Sequence, residues 1–309
     1  MTDFHRVRFM STHGFSGFYA AILSGFADDG AFDEGRQRAI CAYVLRQDID
    51  GLYVGGTTAE QALMQISERI TQLRVVAECA EPKRTRLIAH VGTPSLRGAE
   101  ILAKAAREAE YDAVSALPPD ESHAGGFDAV LDYYKAVLQA SGLPLFVYHF
   151  PSRERRAFSF DETSALLSME GVAGIKFTSE DLYLFSRLRR AFPDRALLFG
   201  KDEIYAGGAL FGADGGIGST YNLVGGLYRK IHQCIEARNL DEARRLQALS
   251  CDLVVHLLDA NLLPAAKHVL SRRGVNCGPS RLPLTLGAPA AVDKLDRFID
   301  SGVLDAFLN

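Results

Sequence analysis

Residues 172–177 read VAGIKF, a short apolar run with one charged side chain, Lys176, near its end. Runs of this kind, rich in Val, Ile, Leu and aromatic residues, are typical of buried strands. Seven more begin near Phe18 (FYAAILS), Gly51 (GLYV), Arg86 (RLIAHV), Ala113 (AVSA), Leu145 (LFVY), Ala196 (ALLF) and Gly215 (GGIG). The sequence therefore predicts eight strands.

The segments between these runs carry apolar residues at helical spacing. Ser67 is the predicted N-cap of one helix, and residues 38–46, 101–109 and 127–138 show the same periodicity. A strand followed by a helix, repeated eight times over roughly 220 residues, favours an α/β fold of the (β/α)8 or TIM-barrel type over an open sheet.

The strand pattern stops after Tyr221, and the remaining sequence has only helical periodicity. We therefore predict a (β/α)8 barrel over residues 1–235 and a C-terminal helical subdomain over residues 236–309. Within the subdomain, the Gly- and Pro-rich residues 274–283 predict a connection made of turns.

The composition excludes several classes of function. Of the 309 residues, 48% are hydrophobic and 23% are charged, which is enough apolar material for a large core. With 34 Lys and Arg against 38 Asp and Glu, the net charge is -4. Such a chain offers no cationic field for phosphate backbones or anionic lipids, so we expect no nucleic-acid or membrane partner.

Five cysteines, an odd number without a C-x-x-C pair, indicate reduced thiols rather than disulfides or zinc ligands. This favours a cytoplasmic protein. The apolar residues 15–26 could pass for a signal peptide, but Gly14, Ser16 and Gly17 dilute the run, and a first strand is the simpler interpretation.

Barrels of this type carry their catalytic groups at the C-terminal ends of the strands. Polar or glycine-rich motifs stand at those positions after five of the runs: Gly55-Gly56-Thr57-Thr58, Tyr148-His149, Lys176-Phe177-Thr178, Lys201-Asp202-Glu203 and Ser219-Thr220. They are the candidate site residues.

Lys176 is the most informative of them, because no carboxylate stands near it in the sequence. Burial disfavours the ammonium form, and the resulting neutral amine can attack a ketone to form a Schiff base. The alternative is a lysine whose side chain extends from the strand end into solvent.

Other candidates are open to two interpretations. Tyr148 would either relay protons or lie at the rim with its hydroxyl in water. The turn at residues 55–58 offers backbone N–H groups and two hydroxyls for a carboxylate, whereas the glycine-rich residues 212–219 favour a phosphate site. The histidines lack metal-binding spacing, so we expect no metal, and His90 is interpreted as a core residue.

Four motifs, in order, resemble the N-acetylneuraminate lyase/dihydrodipicolinate synthase family: Gly55–Glu60, Tyr148–Pro151, Gly174–Thr178 and Gly215–Asn222. The resemblance implies a pyruvate-dependent class I aldolase that needs no cofactor beyond a covalent imine. It also implies a homo-oligomer, commonly a tetramer and otherwise a dimer.

The resemblance assigns roles residue by residue. Lys176 would be the Schiff-base lysine, Tyr148 the proton relay, and Thr58 a further catalytic group. The residues expected to contact pyruvate or the rest of a 2-keto acid substrate are Gly56, Thr57, Thr58, Thr178, Gly200, Asp202, Glu203 and Ser219.

Two branches of the family remain open. The strings GLYVGG, LIAHVG, YDAVSA and GADGGIGSTYN, together with Asp202-Glu203, look like the neuraminate lyases and favour a sugar acid. Arg153 matches the arginine with which the synthase branch grips a substrate carboxylate, a task that suits a guanidinium group.

The chain departs from the family pattern at three places. His149 replaces the usual Asn, and Ala59 replaces a Gly before Glu60. No tyrosine occurs between Tyr111 and Tyr133, where the family supplies a second relay residue to a neighbouring subunit. A slow enzyme, a relay through His123 or water, a different substrate and a catalytically silent pyruvate-binding module are the alternatives.

Overall fold

The computed structural model describes residues 14–81, 84–118, 125–153 and 157–308. Eight parallel strands close into a barrel in sequence order, and the first strand pairs with the eighth. The strands are β1 Gly17–Ala21, β2 Gly51–Val54, β3 Arg86–His90, β4 Ala113–Ala116, β5 Leu145–His149, β6 Val172–Phe177, β7 Ala196–Phe199 and β8 Gly215–Gly218. The predicted barrel is confirmed, as is the interpretation of residues 15–26 as containing the first strand.

Helices follow the strands and form the outer layer. In the described residues they are α1 Glu34–Val44, α2 Ile66–Cys79, α3 Leu96–Glu108, α4 Gly126–Ser141, α5 Phe160–Ser168, α6 Leu182–Ala191, α7 Tyr205–Leu210, α8 Tyr221–Glu236, α9 Leu240–Asp259, α10 Leu262–Arg272 and α11 Pro289–Asp300. The predicted N-cap at Ser67 is wrong. Helix α2 is capped by Gln65, whose backbone N–H donates to Glu68 in a capping box, so Ser67 lies within the first turn.

The barrel has two apolar cores, because side chains on a strand alternate between its faces. Large residues such as Tyr19, Tyr53, Phe146 and Leu198 fill the inside of the barrel. The residues of opposite parity pack against the helices outside. On β5 and β7, every second side chain counted from Phe146 or Leu198 therefore points towards the barrel axis. This alternation decides which side chains lie at the mouth of the barrel.

The N-terminal end of the barrel is closed by carboxylates that bind strand backbones. Asp50, Asp112 and Asp214 stand just before β2, β4 and β8. Their side chains accept hydrogen bonds from the N–H group of the second residue of a neighbouring strand, at 2.7 Å from Phe18 and 2.8 Å from Leu87 and Leu197. These contacts satisfy orphan donors at the end opposite the site, so we assign them to stability.

Helices α9 to α11 follow the barrel, as the sequence predicts, and residues 273–288 between α10 and α11 form neither helix nor strand. The boundary predicted between residues 235 and 236 falls at the end of α8, and the division into two domains stays a prediction. Within the described residues no single helix could cross a membrane; α9 and α10 meet the length and hydropathy criteria only together, with a bend of 106° between them.

Candidate active site

A cavity of about 580 Å³ opens at the C-terminal ends of the strands. Its lining combines the predicted site residues with residues of the C-terminal helices and the segment after them. From the predicted set it includes Thr57, Thr58, Tyr148, Arg153, Lys176, Thr178, Gly200, Asp202, Glu203 and Ser219. Residues more than 160 positions apart in sequence are thus brought together, as expected for the mouth of a barrel.

Lys176 lies inside this mouth and not on the outer wall. It is paired in register with Tyr148 on β5 and Leu198 on β7, and Leu198 belongs to the inner core. The side chain is only 5% exposed. Its Nζ lies 3.9 Å from the ring centroid of Tyr53 and 4.1 Å from that of Tyr148. The lysine is therefore held between two aromatic faces.

Burial sets the protonation of this amine. Loss of water disfavours the ammonium form and lowers the pKa of Lys176 to about 7, although the negative charge of Asp202 works in the opposite direction. A substantial fraction of the amine is therefore neutral near neutral pH. This is the state that a nucleophilic lysine requires.

Tyr148 lies beside Lys176 because the neighbouring strands β5 and β6 pair these two residues in register. It is 3% exposed, and its ring stacks on Phe150 with centroids 5.7 Å apart and planes inclined by 21°. His149 alternates to the other face and packs against Phe177 and Phe158 in the outer core. Burial lowers the pKa of His149 to about 4, so it is neutral at pH 7 and lies away from the chemistry.

The turn after β2 presents two hydroxyls to the cavity. Residues Thr57–Ala59 form a single 3₁₀ turn, and Glu60 follows in the left-handed conformation with φ 60°. Thr58 Oγ1 lies 2.6 Å from Ser219 Oγ, which links this turn to the loop after β8. The paired hydroxyls and the N–H groups of the turn form a polar patch suited to a carboxylate.

Gly56 is not among the residues that line the cavity, and its contact with the substrate stays a prediction. It is buried behind the turn, where a Cβ atom would lie 2.7 Å from the ring of Tyr53. Glycine is needed there for close packing against the tyrosine that faces Lys176. Gly56 therefore supports the site from behind.

The loop after β7 supplies a buried acid. Burial raises the pKa of Asp202 to about 6, while hydrogen bonds from Thr220 act against this shift. The Asp202 Oδ2 atom accepts from Thr220 N at 3.0 Å and from Thr220 Oγ1 at 2.6 Å. Oδ1 has no hydrogen-bond partner among the described residues. That oxygen is itself buried and lies beside Gly218 of β8, where an added Cβ atom would collide with it.

A chain of hydroxyls holds Asp202 from behind. Tyr228 OH lies 2.6 Å from Thr220 Oγ1 and 2.8 Å from Ser250 Oγ. Ser250 on α9 also donates to the backbone carbonyl of Asp202 at 3.1 Å. The C-terminal helices thereby fix the orientation of the acid.

Glu203 and Lys201 form the polar rim beside Asp202. Lys201 Nζ lies 2.9 Å from Glu203 and 3.1 Å from Glu180. Burial opposes the charge of Lys201, but its hydrogen bonds and charge interactions with the two carboxylates raise its pKa overall. The cavity thus holds one neutralisable lysine and one lysine that stays protonated.

Gly200 allows the β6 and β7 loops to approach closely. A Cβ atom at this position would lie 2.1 Å from Thr178 Oγ1, an oxygen without a hydrogen-bond partner among the described residues. Both residues line the cavity. Any side chain at position 200 would displace the threonine hydroxyl from its place in the cavity wall.

Of the glycine-rich residues 212–219, residues 215–218 form strand β8. His90 is a core residue, as predicted: its Nδ1 lies 3.1 Å from the carbonyl of Gly55, and Nε2 accepts from Leu117 N at 3.4 Å. The described residues contain no group of three or more His, Cys, Asp or Glu side chains arranged to hold a metal ion.

Sequence reasoning missed two contributors to the site. Tyr53 forms one face of the lysine cage, and its hydroxyl donates to Ser115 Oγ at 3.1 Å inside the barrel. The period-two pattern of β2 could have placed this residue inside the barrel. The second contributor is the C-terminal part of the chain, which covers the mouth with Val254, Leu258, Asn261, Leu262, Leu263, Pro264, Pro283, Leu284 and Thr285.

A relay through His123 in place of the family's second tyrosine stays a prediction, because residues 119–124 lie outside the described residues. Arg153 lines the cavity from an exposed position. The carboxylate role predicted for it is therefore sterically available.

Comparisons with known proteins agree with this geometry. Residues 14–301 match the dihydrodipicolinate synthetase family. An N-acetylneuraminate lyase from Rhizobium meliloti (strain 1021) is 38% identical over 270 residues, 86% of this chain and 88% of that protein.

Solved structures give the same result. CdNal from Clostridium difficile, solved in complex with mannosamine, superimposes with a TM-score of 0.89 and 29% identity over 94% of this chain and 99% of that one. The N-acetylneuraminate lyase of Fusobacterium nucleatum complexed with pyruvate gives a TM-score of 0.86 and 29% identity over 93% of this chain and 97% of that one. The chain belongs to the dihydrodipicolinate synthetase family and is a lyase, a pyruvate-dependent class I aldolase.

Proposed function

We propose that this protein cleaves a sugar acid of the N-acetylneuraminate type, reversibly, through an imine between Lys176 and the 2-keto group. The observation that carries the proposal is the buried Lys176 amine, held between Tyr53 and Tyr148 inside the cavity. Its pKa of about 7 makes the neutral amine abundant under ordinary conditions.

The proposed reaction begins when Lys176 Nζ attacks the carbonyl carbon of the substrate. Loss of water gives a protonated imine. Cleavage of the neighbouring carbon–carbon bond then sends its electron pair into the imine to form an enamine, and the hydroxyl proton of the departing aldehyde passes to a base. Tyr148, whose ring lies against Nζ, is the proposed proton carrier. Protonation of the enamine and hydrolysis release pyruvate and the free lysine.

The substrate carboxylate is proposed to bind at the turn after β2. Thr57 and Thr58 line the cavity there, and Ser219 completes a pair of hydroxyls with Thr58. Hydrogen bonds from hydroxyl and backbone N–H groups to a carboxylate are charge-assisted, so they position the 2-keto group next to Lys176. This assignment places the reactive carbon and the amine at the same end of the barrel.

The rest of the substrate is proposed to be a polyhydroxylated sugar chain. Asp202 and Glu203 both line the cavity, and the partly exposed rim carboxylate of Glu203 is an acceptor for hydroxyl donors. The relatives named as N-acetylneuraminate lyases, and a neighbour solved with mannosamine, support this class of substrate. They favour it over the synthase-like alternative and over a silent pyruvate-binding module.

The test is borohydride reduction in the presence of pyruvate, followed by peptide mass spectrometry. We expect one modified residue, Lys176, and none in Lys176→Ala. Lys201→Ala is the matched control, because Lys201 lines the same cavity but is paired with two carboxylates. Labelling elsewhere, or turnover of N-acetylneuraminate that survives in Lys176→Ala, would refute the proposal.

Two finer properties accompany the proposed function. A cytoplasmic location is supported by the cysteines of the described residues, all of which are free thiols. A homo-oligomer, a tetramer or a dimer, is the expected assembly from the family resemblance. Light scattering coupled to size-exclusion chromatography measures it, and a monomeric mass at micromolar concentration would contradict it.

A further inference from the structure

We propose that Arg69 is a positioning residue of the site: its buried guanidinium fixes the start of the turn after β2 and places a positive charge behind that turn, so that the turn selects a carboxylate. The inference rests on the proposed function, in which Thr57 and Thr58 hold the carboxylate of a 2-keto acid. Arg69 lies on α2 and is only 3% exposed. It is not among the residues that line the cavity, so it acts through the turn and not by touching the substrate.

The guanidinium of Arg69 joins the ends of two neighbouring strands. Its Nη2 atom donates to the backbone carbonyl of His90, the last residue of β3, at 2.7 Å, and to that of Gly55, directly after β2, at 3.4 Å. Its Nη1 atom donates to the carbonyl of Gly92 at 3.0 Å and to Gln61 Oε1 at 3.4 Å. A planar fork of N–H donors suits a place where several carbonyl groups converge. Arg69 therefore fixes the two strand ends relative to each other at the mouth of the barrel.

The carbonyl of Gly55 is held from two sides. Besides Arg69, His90 Nδ1 lies 3.1 Å from the same oxygen. Gly55 has φ 75°, a left-handed conformation that favours glycine. A planar trans peptide directs its C=O and N–H groups in opposite directions, so fixing this oxygen fixes the peptide plane from which the turn Thr57–Ala59 departs. The first N–H groups of such a turn have no partner within it, and they are the donors proposed for the carboxylate.

The charge of Arg69 gives it a second effect on this turn. Its hydrogen bonds within the described residues go to three backbone carbonyls and one side-chain amide, all of them neutral groups. Burial lowers the pKa of Arg69 to about 10, so the guanidinium stays protonated at pH 7. A buried cation is costly unless an opposite charge lies near it. A carboxylate bound at the turn supplies that charge, and their attraction is stronger in these buried surroundings than in water.

Arg189 offers a matched control at the other end of the barrel. It is also 3% exposed, and its guanidinium also donates to backbone carbonyls, at 2.6 Å from Phe192 O and 2.7 Å from Arg195 O. It is paired at 2.7 Å with Asp214, one of the carboxylates that close the N-terminal end. Arg189→Met should therefore destabilise the fold without changing how the mouth of the barrel binds a carboxylate.

The test compares pyruvate with pyruvamide, which keeps the 2-keto group but carries a neutral amide in place of the carboxylate. Borohydride reduction and peptide mass spectrometry give, for each compound, the concentration that labels half of Lys176. In the wild-type protein we expect pyruvamide to need a higher concentration than pyruvate. In Arg69→Met the ratio of the two concentrations should fall about tenfold or more, because the turn loses a charge-assisted contact with the carboxylate. In Arg189→Met the ratio should stay at the wild-type value.

Arg69→Lys decides the matter if circular dichroism shows that Arg69→Met is unfolded. Lysine keeps the positive charge but lacks the planar fork, so the ratio should lie between those of the wild-type protein and a variant without the charge. A wild-type ratio in every folded Arg69 variant, or an equal fall in Arg189→Met, would overturn the proposal while leaving the proposed function intact. Absence of pyruvate labelling at Lys176 in the wild-type protein would refute the proposed function and this inference together.

Discussion

Glu60 and Lys267 form a buried ion pair, with Oε1 and Nζ 2.7 Å apart, that joins the turn after β2 to helix α10. The other carboxylate oxygen of Glu60 accepts from the backbone N–H of Arg281 at 2.8 Å. Glu60 directly follows the turn that carries Thr57 and Thr58. The C-terminal part of the chain therefore holds the proposed carboxylate-binding turn in place as well as covering the cavity.

Lys267→Met tests this pair. The substitution leaves a buried carboxylate without its partner, which costs about 3–5 kcal/mol of unfolding free energy. Urea denaturation at pH 7 measures the loss. The control is Arg244→Met, which breaks the exposed pair of Arg244 and Asp241 and should cost less than about 1 kcal/mol. Equal losses of unfolding free energy in the two variants would show that the buried pair contributes no more to stability than the exposed pair.

The rate of imine formation should follow the deprotonation of Lys176. Because burial lowers its pKa to about 7, borohydride-trappable labelling by pyruvate should rise with pH and reach half its maximum near pH 7. Asp202 raises the pKa of Lys176, so Asp202→Asn removes that effect and should move the midpoint to lower pH. A midpoint near the ordinary lysine value, or a shift to higher pH, contradicts this prediction.

The two tyrosines around Lys176 should differ in their effects. Tyr148→Phe removes the proposed proton carrier and should lower kcat by about 10²–10⁴-fold. Tyr53→Phe keeps the aromatic face, and the hydroxyl that it removes is bonded to Ser115 inside the barrel. We therefore expect less than about a tenfold loss of kcat, which is below the 10²–10⁴-fold range of general acid–base help. Similar losses of kcat in the two variants would contradict a special role for the Tyr148 hydroxyl in proton transfer.

Arg153 and Glu203 should distinguish the two substrate branches. Arg153→Ala should raise KM about tenfold or more for a 2-keto acid with a second carboxylate, because it removes a charged hydrogen bond. Glu203→Gln should raise KM for a polyhydroxylated sugar acid and leave pyruvate labelling of Lys176 unchanged. Steady-state assays of released pyruvate on both substrate classes measure this. If neither variant changed KM for either substrate class, Arg153 and Glu203 would have no role in substrate recognition.

Most of the barrel was predictable because strand patterns are local. Seven of the eight strands begin at the residue where the apolar run predicted them, and β1 begins one residue earlier. Helix starts were less certain, as Ser67 shows: a hydroxyl residue met the capping pattern, but Gln65 with Glu68 completes the cap. Local sequence gives several possible caps, and packing of the helix selects one.

The site was predictable where the motif and the strand end coincide. Lys176 and Tyr148 lie at the ends of β6 and β5, Thr58 and Asp202 lie shortly after β2 and β7, and barrel closure brings the ends of strands together. Gly56 was also predicted to contact the substrate; it packs against the ring of Tyr53 and is not among the residues that line the cavity. The sequence shows which residues a loop contains, whereas the path of the backbone decides which of them face the cavity.

The sequence by itself determined the strand order, the barrel and a lysine at the end of β6, because a two-residue period and helical spacing are written in neighbouring residues. Only the tertiary structure decided the cage of Tyr53 and Tyr148 around Lys176, the Thr58–Ser219 contact and the Glu60–Lys267 pair. These contacts join distant segments. They depend on strand register and helix packing, which the whole chain sets at once.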